Sequence, residues 1–313
     1  MRDSDNIAGM VVLKDGTIVH ESYGNGCDAH TAVHVFSVTK SVVALLFGIA
    51  FDKGCLESVD QRVLEFFPAY PVKRGEKTLP RITIEDLLTM TVPYKYRSAP
   101  YTKYFSSESW VCAALDLMGG KGRVGEFRYA PLIGPDVLTG ILAQATERSA
   151  LDFARTHLFE PLGISVAGRI TFKSKDEQLA FNKTTGRSGW VADPQGVNTA
   201  GWGLTLTARD MAKIGQLCVG EGVWEGERIV SKAWLDTCLR EHARWEERDL
   251  SYGYLWWVVD ADEGIFAAMG DGGNVVYCNR RKNLVVAIAS LFKPRIPDRI
   301  AFIRSCIEPH FDA

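Results

Sequence analysis

The sequence predicts an α+β fold: an antiparallel sheet flanked by helices, with a mostly helical subdomain inserted between its strands. Three observations predict it. Runs of β-formers sit towards both ends of the chain, over residues 7–23 and 253–289, while the middle carries helix start and stop signals. Residues 41–51 are almost continuously apolar, and a helix that is apolar all round is a buried one. Strands and helices segregated into blocks point to α+β layering. On this reading residues 1–60 and 200–313 form the sheet subdomain and residues 61–199 the helical insert.

In chain order, residues 9–13 and 17–20 read as two strands around Lys14-Asp15-Gly16, a hairpin. Residues 24–32 read as a loop leading to the buried helix, which Gly54 closes in the left-handed conformation. Residues 56–70 suggest a loop and a short helix, capped by Asp60 and ended by Pro68. Thr83, followed by Glu85, Asp86 and Leu87-Leu88, starts a helix. Residues 92–105, rich in Tyr, Pro and Lys, read as loop. Residues 109–118 read as a helix stopped by Gly119-Gly120. Val137, Leu138, Ile141 and Leu142 make a helical stripe over 135–147, with Pro135 at the first helical position. Residues 151–159 suggest a further short helix, and 165–199 strands or loops. Thr207 and Asp210 stand at capping-box spacing before a helix over 207–217, and residues 231–240 read as another. Candidate strands follow at 253–259, 265–269, 274–278 and 284–289. The turn Arg280-Arg281-Lys282-Asn283 would pair the last two as an antiparallel hairpin. A helix over 298–307 closes the chain.

The 313 residues are 46% hydrophobic and 24% charged, with a net charge of −2, so a sizeable core is affordable and no polyanionic or membrane partner is implied. No apolar run reaches membrane-spanning length, and residues 1–6 lack the apolar centre of a signal peptide, so a cytoplasmic location is expected. Seven cysteines without CxxC spacing and six dispersed histidines without HExxH point away from a disulfide framework or a metal site. Dinucleotide and P-loop glycine patterns are missing, as is the Gly-x-Ser-x-Gly elbow of α/β-hydrolases. The expected partner is a small-molecule substrate, with no cofactor; oligomeric state is not readable.

The buried helix opens on Phe36-Ser37-Val38-Thr39-Lys40. Ser37 and Lys40 fall three residues apart in its first turn, on one face. A serine hydroxyl is a weak nucleophile until a neighbouring base takes its proton. Lysine serves as that base once burial lowers its pKa. The helix N-terminus adds free N–H groups that favour an oxyanion. Ser-x-x-Lys alone arises readily by chance, but a lysine at the head of a buried helix needs a reason.

Further stretches join this one: Ile82-Thr83-Ile84-Glu85-Asp86-Leu87-Leu88-Thr89-Met90, Phe127-Arg128-Tyr129 before Leu138-Thr139-Gly140, Phe159-Glu160-Pro161-Leu162-Gly163, Gly201-Trp202-Gly203-Leu204-Thr205 and Gly270-Asp271-Gly272-Gly273-Asn274. With them, nearly the whole chain resembles the serine β-lactamase and penicillin-binding-protein superfamily, class C-like branch, which includes esterases, D-aminopeptidases and 6-aminohexanoate-dimer hydrolases. The resemblance implies a β-lactamase/transpeptidase-like fold acting as one catalytic unit. It implies Ser37 as the acylated nucleophile, Lys40 as its base, and Tyr129 as the tyrosine of the Tyr-x-Asn motif that relays a proton to the leaving group. A phenol near two cations would be drawn towards phenolate; without the resemblance Tyr129 reads as a packed loop tyrosine.

Two positions depart from the family pattern. Pro131 stands where the Asn belongs and, lacking an amide, is expected to hold neither a substrate carbonyl nor Lys40. The third motif, Lys or His, then Thr or Ser, then Gly, has no cation; Gly270-Asp271-Gly272 is its counterpart. Gly270 suits a strand whose backbone approaches a ligand. With Ser37 N–H as one oxyanion donor, the other is expected among Gly272, Gly273 and Asn274; a plain glycine-rich bend is the alternative.

The expected activity is a metal-independent serine hydrolase acting on an amide, ester or β-lactam through an acyl-enzyme. The alternatives are a penicillin-recognition sensor that acylates and stops, and a scaffold without chemistry. Residues 94–104 and 190–202 are aromatic-rich candidates for pocket walls. Arg128 and Arg209 are candidates to replace the missing cation.

Overall fold

The computed structural model describes residues 6–311; apart from Asn6, the residues read for a leader lie outside that range. An eight-stranded antiparallel sheet is built from both ends of the chain: β1 (Ile7–Lys14), β2 (Thr17–Tyr23), β3 (Ala243–Trp245), β4 (Leu250–Tyr252), β5 (Trp257–Asp260), β6 (Ile265–Gly270), β7 (Asn274–Asn279) and β8 (Leu284–Ser290). Their spatial order is β2-β1-β8-β7-β6-β5-β4-β3. The N-terminal hairpin therefore docks on the last strand, with Met10 opposite Ile288 and Val12 opposite Val286.

Both faces of the sheet are covered. Successive strand side chains point to opposite faces. Accordingly Val285, Ala287 and Ala289 of β8 enter the main core, while Leu284, Val286 and Ile288 enter a second core with Tyr277 and Ile303. Burial on both faces explains why these strands read as continuous apolar runs. The closing helix α10 (Arg299–Cys306) covers the second core and is capped by Asp298.

On the main face lies α1 (Val38–Asp52), with every residue from Val38 to Ala50 buried and Gly54 at φ +70° beyond its end. Gly48 is required there: a Cβ would stand 2.2 Å from the Trp234 ring. The insert supplies α2 (Ile84–Leu88), α3 (Tyr101–Phe105), α4 (Trp110–Leu117), α5 (Asp136–Thr146), α6 (Ala150–Ala154) and α7 (Lys175–Phe181). Helices α8 (Ala208–Val219) and α9 (Lys232–Cys238) follow, α8 lying across β1, β7 and β8. Capping boxes close the heads of α2 (Thr83 with Asp86) and α8 (Thr207 with Asp210). Among the described residues no helix is long and apolar enough to cross a membrane, and all seven cysteines are free.

Several local expectations change. The strand expected over 253–259 is broken: residues 253–256 leave the sheet, Leu255 sits at φ +59°, and its carbonyl accepts from Ser41 Oγ at 2.7 Å. That detour ties the sheet to α1. The polar stretch 165–199 contains α7, capped by Ser174, and residues 92–105 end in α3. The 3₁₀ turn Val63–Phe66 begins after Arg62, so Asp60 is not its cap, and Pro135 is the N-cap of α5 rather than its first residue.

Candidate active site

Ser37 is the N-cap residue of α1. The chain turns into the helix through Phe36 at φ +49°, a left-handed conformation that costs a non-glycine residue roughly 1–2 kcal/mol. The turn is held from outside. Val35 N–H donates to Leu204 O at 3.0 Å, Thr39 Oγ1 donates to Phe36 O at 2.6 Å, and Leu204 N–H donates to Thr39 Oγ1 at 3.3 Å.

Lys40 is 1% exposed, and its amine reaches three oxygens: Ser37 Oγ at 2.7 Å, Pro131 O at 2.8 Å and Gly201 O at 2.8 Å. Burial pushes the amine down to about 7, against the raising influence of Asp271 and Asp136. A neutral amine has two hydrogens and one lone pair. With both hydrogens taken by the two carbonyls, the lone pair is left for the Ser37 hydroxyl. The expectation for Pro131 is thereby corrected: it does bind Lys40, with its main-chain carbonyl in place of a side-chain amide.

Tyr129 completes the group. Ser37 is near enough to lower the proton affinity of its phenol, and Lys40 Nζ lies 5.4 Å from its ring centroid. Trp245 stacks on the ring at 5.8 Å, with Trp257 at 5.4 Å. The phenolate expectation is overturned: burial, with Asp271 adding to it, raises the phenol to about 12 although Ser37 lowers it. The neighbouring amine sheds its charge near neutrality and the other charged neighbour is an acid, so Tyr129 stays a neutral O–H.

Of the glycine-rich stretch, Gly270 reaches Ser37. A Cβ on it would lie 3.1 Å from Ser37 N and 2.3 Å from Val35 O. Gly272, Gly273 and Asn274 do different work. Gly270 pairs with Asn274 across β6 and β7, so residues 271–273 form the connecting turn, with Gly272 at φ +76° and Gly273 at φ +89°. Cβ atoms on those two would meet residues 291–293, Ile296 and Arg299 rather than Ser37. The Asn274 side chain locks the turn, donating to Asp271 O at 2.9 Å and accepting from Ser290 N–H at 2.9 Å. The N–H that follows Gly270 belongs to Asp271, which becomes the candidate for the second oxyanion donor.

The sequence model of the β-lactamase family matches residues 1–301. The chain belongs to the β-lactamase family. Its 6-aminohexanoate-dimer hydrolase relative from Paenarthrobacter ureafaciens is 23% identical over 297 residues, 88% of this chain and 70% of that protein. Among solved structures, a penicillin-binding protein homolog from Caulobacter crescentus superposes with a TM-score of 0.70 at 19% identity, covering 92% of this chain and 87% of that one. A family VIII carboxylesterase superposes with a TM-score of 0.70 at 16% identity, covering 95% and 90%. These superpositions show a shared β-lactamase/transpeptidase-like fold.

Sequence reasoning missed one acid in this β-lactamase-family site. Asp136, at the head of α5, is 2% exposed and accepts from Tyr104 Oη at 2.7 Å, Ala200 N–H at 2.8 Å and Gly201 N–H at 3.3 Å. It thus holds the residue whose carbonyl binds Lys40. Burial raises its carboxyl to about 6, although these donors and Lys40 favour the anion. Buried His34 fixes the same loop, its Nε2 accepting from Gly203 N–H at 2.9 Å; burial pushes that ring down to about 3, so it is neutral.

Neither arginine replaces the family cation. Arg209 is paired with Glu21 on β2, at 2.6 and 2.8 Å. Arg128 donates to the carbonyls of Tyr94 and Tyr96 and lies over their rings, lining a separate cavity of about 770 Å³ with Lys95 and Lys121. Of the expected wall residues, Trp202 packs against Phe105 at 5.7 Å, while Trp190 is core and donates to Thr199 O. Among the described residues no group of three or more His, Cys, Asp or Glu is placed to hold a metal.

Proposed function

We propose that this β-lactamase-family chain is a serine hydrolase that cleaves a small ester or amide through an acyl group on Ser37. One observation carries the reading: a buried amine 2.7 Å from Ser37 Oγ with two main-chain carbonyls at 2.8 Å to take its hydrogens, where burial favours the neutral form. The Ser37 proton passes to Lys40 as Oγ attacks the substrate carbonyl. The oxyanion lies between the N–H groups of Ser37 and Asp271. Lys40 returns the proton through the Tyr129 hydroxyl to the departing oxygen or nitrogen, whose bond to the acyl carbon breaks. Water then attacks the acyl group, giving its proton back along the same path, and Ser37 leaves as the free hydroxyl. The names of two relatives support this reading: one is a 6-aminohexanoate-dimer hydrolase and the other a carboxylesterase.

Pro131 favours a second reading, acylation without turnover, because it offers no side-chain amide to position the acyl group. Rapid mixing with p-nitrophenyl butyrate separates the two. Turnover predicts a burst followed by a steady rate, both lost in Ser37→Ala. Ser37 makes no side-chain capping bond, so the substitution spares the helix. A burst with no steady rate makes the chain a sensor, and no Ser37-dependent release at all removes both readings.

A further inference from the structure

The cavity beside Arg128 collects cations. Lys95, Arg97, Lys121 and Arg128 line it together with Tyr94 and Tyr96, and no acid is among its lining residues. The chain as a whole carries −2, so this positive charge is a local concentration. One of the four is compensated: Lys95 Nζ pairs with Glu76 at 2.9 Å. Lys95 Nζ also donates to the main-chain carbonyl of Asp116 at 3.3 Å, but the Asp116 carboxylate pairs with Lys73 at 3.4 Å and accepts from Tyr70 at 2.8 Å. Arg97 and Lys121 are exposed, and among the described residues neither has a hydrogen bond or an ion pair.

The frame that carries these charges is fixed. Two of the five N–H donors of Arg128 go to Tyr94 O, at 3.1 Å, and Tyr96 O, and its guanidinium lies 5.3 and 5.0 Å from those two ring centroids. Three donors of a planar fork held against two rings remain. The segment before Lys121 is anchored by Glu76, which accepts from Gly120 N–H at 3.1 Å and from Thr78 and Leu79 N–H at 2.9 and 3.1 Å. Gly122 lets that segment close on residue 93: a Cβ on it would stand 2.5 Å from Pro93 Cβ.

A cleft lined by one sign of charge concentrates ions of the other sign. Bonds from Arg and Lys to carboxylate or phosphate are charge-assisted and strong, and Arg offers two parallel donors at once. Three uncompensated cations leave net positive charge around a monoanion but are matched by a molecule with several anionic groups. The volume of about 770 Å³ is that of a small-molecule site, far larger than a single inorganic ion needs.

We propose that this cavity binds a small polyanion, a molecule bearing two or more carboxylate or phosphate groups. No residue lining it hydrogen-bonds the Ser37 or Lys40 side chain, so this is a second site. The inference holds whether or not Ser37 is acylated.

The test is isothermal titration of the full chain with citrate and with pyrophosphate, at neutral pH and fixed ionic strength. We expect saturable binding of at least one of them, one per chain, that weakens as ionic strength rises. Pyrophosphate alone would mark the ligand as a phosphate compound, and citrate alone as a polycarboxylate. Arg97→Gln/Lys121→Gln removes two cations that support nothing else in the fold and should weaken binding on the order of 10-fold or more, the size of two charge contacts near a surface. Lys173→Gln/Lys175→Gln removes the same charge from exposed positions outside the cavity and should leave the affinity within about 2-fold of wild type, because exposed charges beyond a Debye length are largely screened. Ser37→Ala should bind as the wild type does, which separates this inference from the hydrolase reading. Circular dichroism checks that each variant is folded. No saturable binding of either anion, an unchanged affinity in Arg97→Gln/Lys121→Gln, or an equal loss in both double variants overturns the inference.

Discussion

Replacing Gly270 by alanine tests how β6 meets the nucleophile. The added methyl would stand 2.3 Å from Val35 O and 3.1 Å from Ser37 N. Carbon and oxygen settle at about 3.3 Å or beyond even in the closest favourable contacts, so something must move by about 1 Å. Both partners are main chain, and Val35 is held by its bond to Leu204, so neither can swing aside as a side chain would. The strand end therefore backs away from Ser37, taking the Asp271 N–H with it. A displacement of that size in a reacting geometry costs about 10²-fold in rate, and overpacking adds about 1–3 kcal/mol of instability. The assay is kcat for p-nitrophenyl butyrate well below the melting temperature of the variant, with the folded fraction checked by circular dichroism. A wild-type kcat would mean that the strand end does not form part of the oxyanion site.

Three further outcomes are expected. Lys40→Ala and Tyr129→Phe should each lower kcat by about 10²–10⁴, and the double variant by much less than the product, because the two groups move one proton; full additivity would take Tyr129 off the proton path. In Asp136→Asn the acid limb of the kcat/KM profile should move to lower pH, since the removed charge is one that raises the Lys40 pKa towards its value of about 7; a limb that stays in place with only a lower plateau would restrict Asp136 to holding the 200–201 backbone. Nitrocefin, which carries a carboxylate, should give a lower kcat/KM than p-nitrophenyl butyrate on the same preparation, because the Gly270-Asp271-Gly272 stretch offers no cation and Asp271 is an exposed acid; an equal or higher nitrocefin value would contradict that reading of the pocket.

The parts of the fold legible in sequence were those fixed by local chemistry. The apolar run of α1, the Thr83–Asp86 and Thr207–Asp210 boxes, and the Arg280–Asn283 turn each carry their signal within a few residues. Leu255 did not, because its left-handed turn is imposed by bonds to Leu88 and Ser41 from distant parts of the chain. In the site, Ser37, Lys40 and Tyr129 were identifiable as residues, but the protonation state of Tyr129 was not. It depends on which charges fold around it, and Asp271 is one of them. The role of Pro131 was hidden because a main-chain carbonyl has no sequence signature. Asp136 was hidden because its partners, Tyr104, Ala200 and Gly201, are 32 to 65 positions away. The glycine cluster was visible as a cluster, yet sequence could not separate Gly270, which needs space against Ser37, from Gly272 and Gly273, which need positive φ.

The most direct measurement is the site of acylation. Wild-type protein mixed with p-nitrophenyl butyrate, quenched in acid during the burst and digested, should yield one butyryl group on the peptide containing Ser37, localised by fragmentation to that residue and gone after turnover is complete. A butyryl group on any other residue, or release of p-nitrophenol at full rate with Ser37 unmodified at every quench time, would contradict the account.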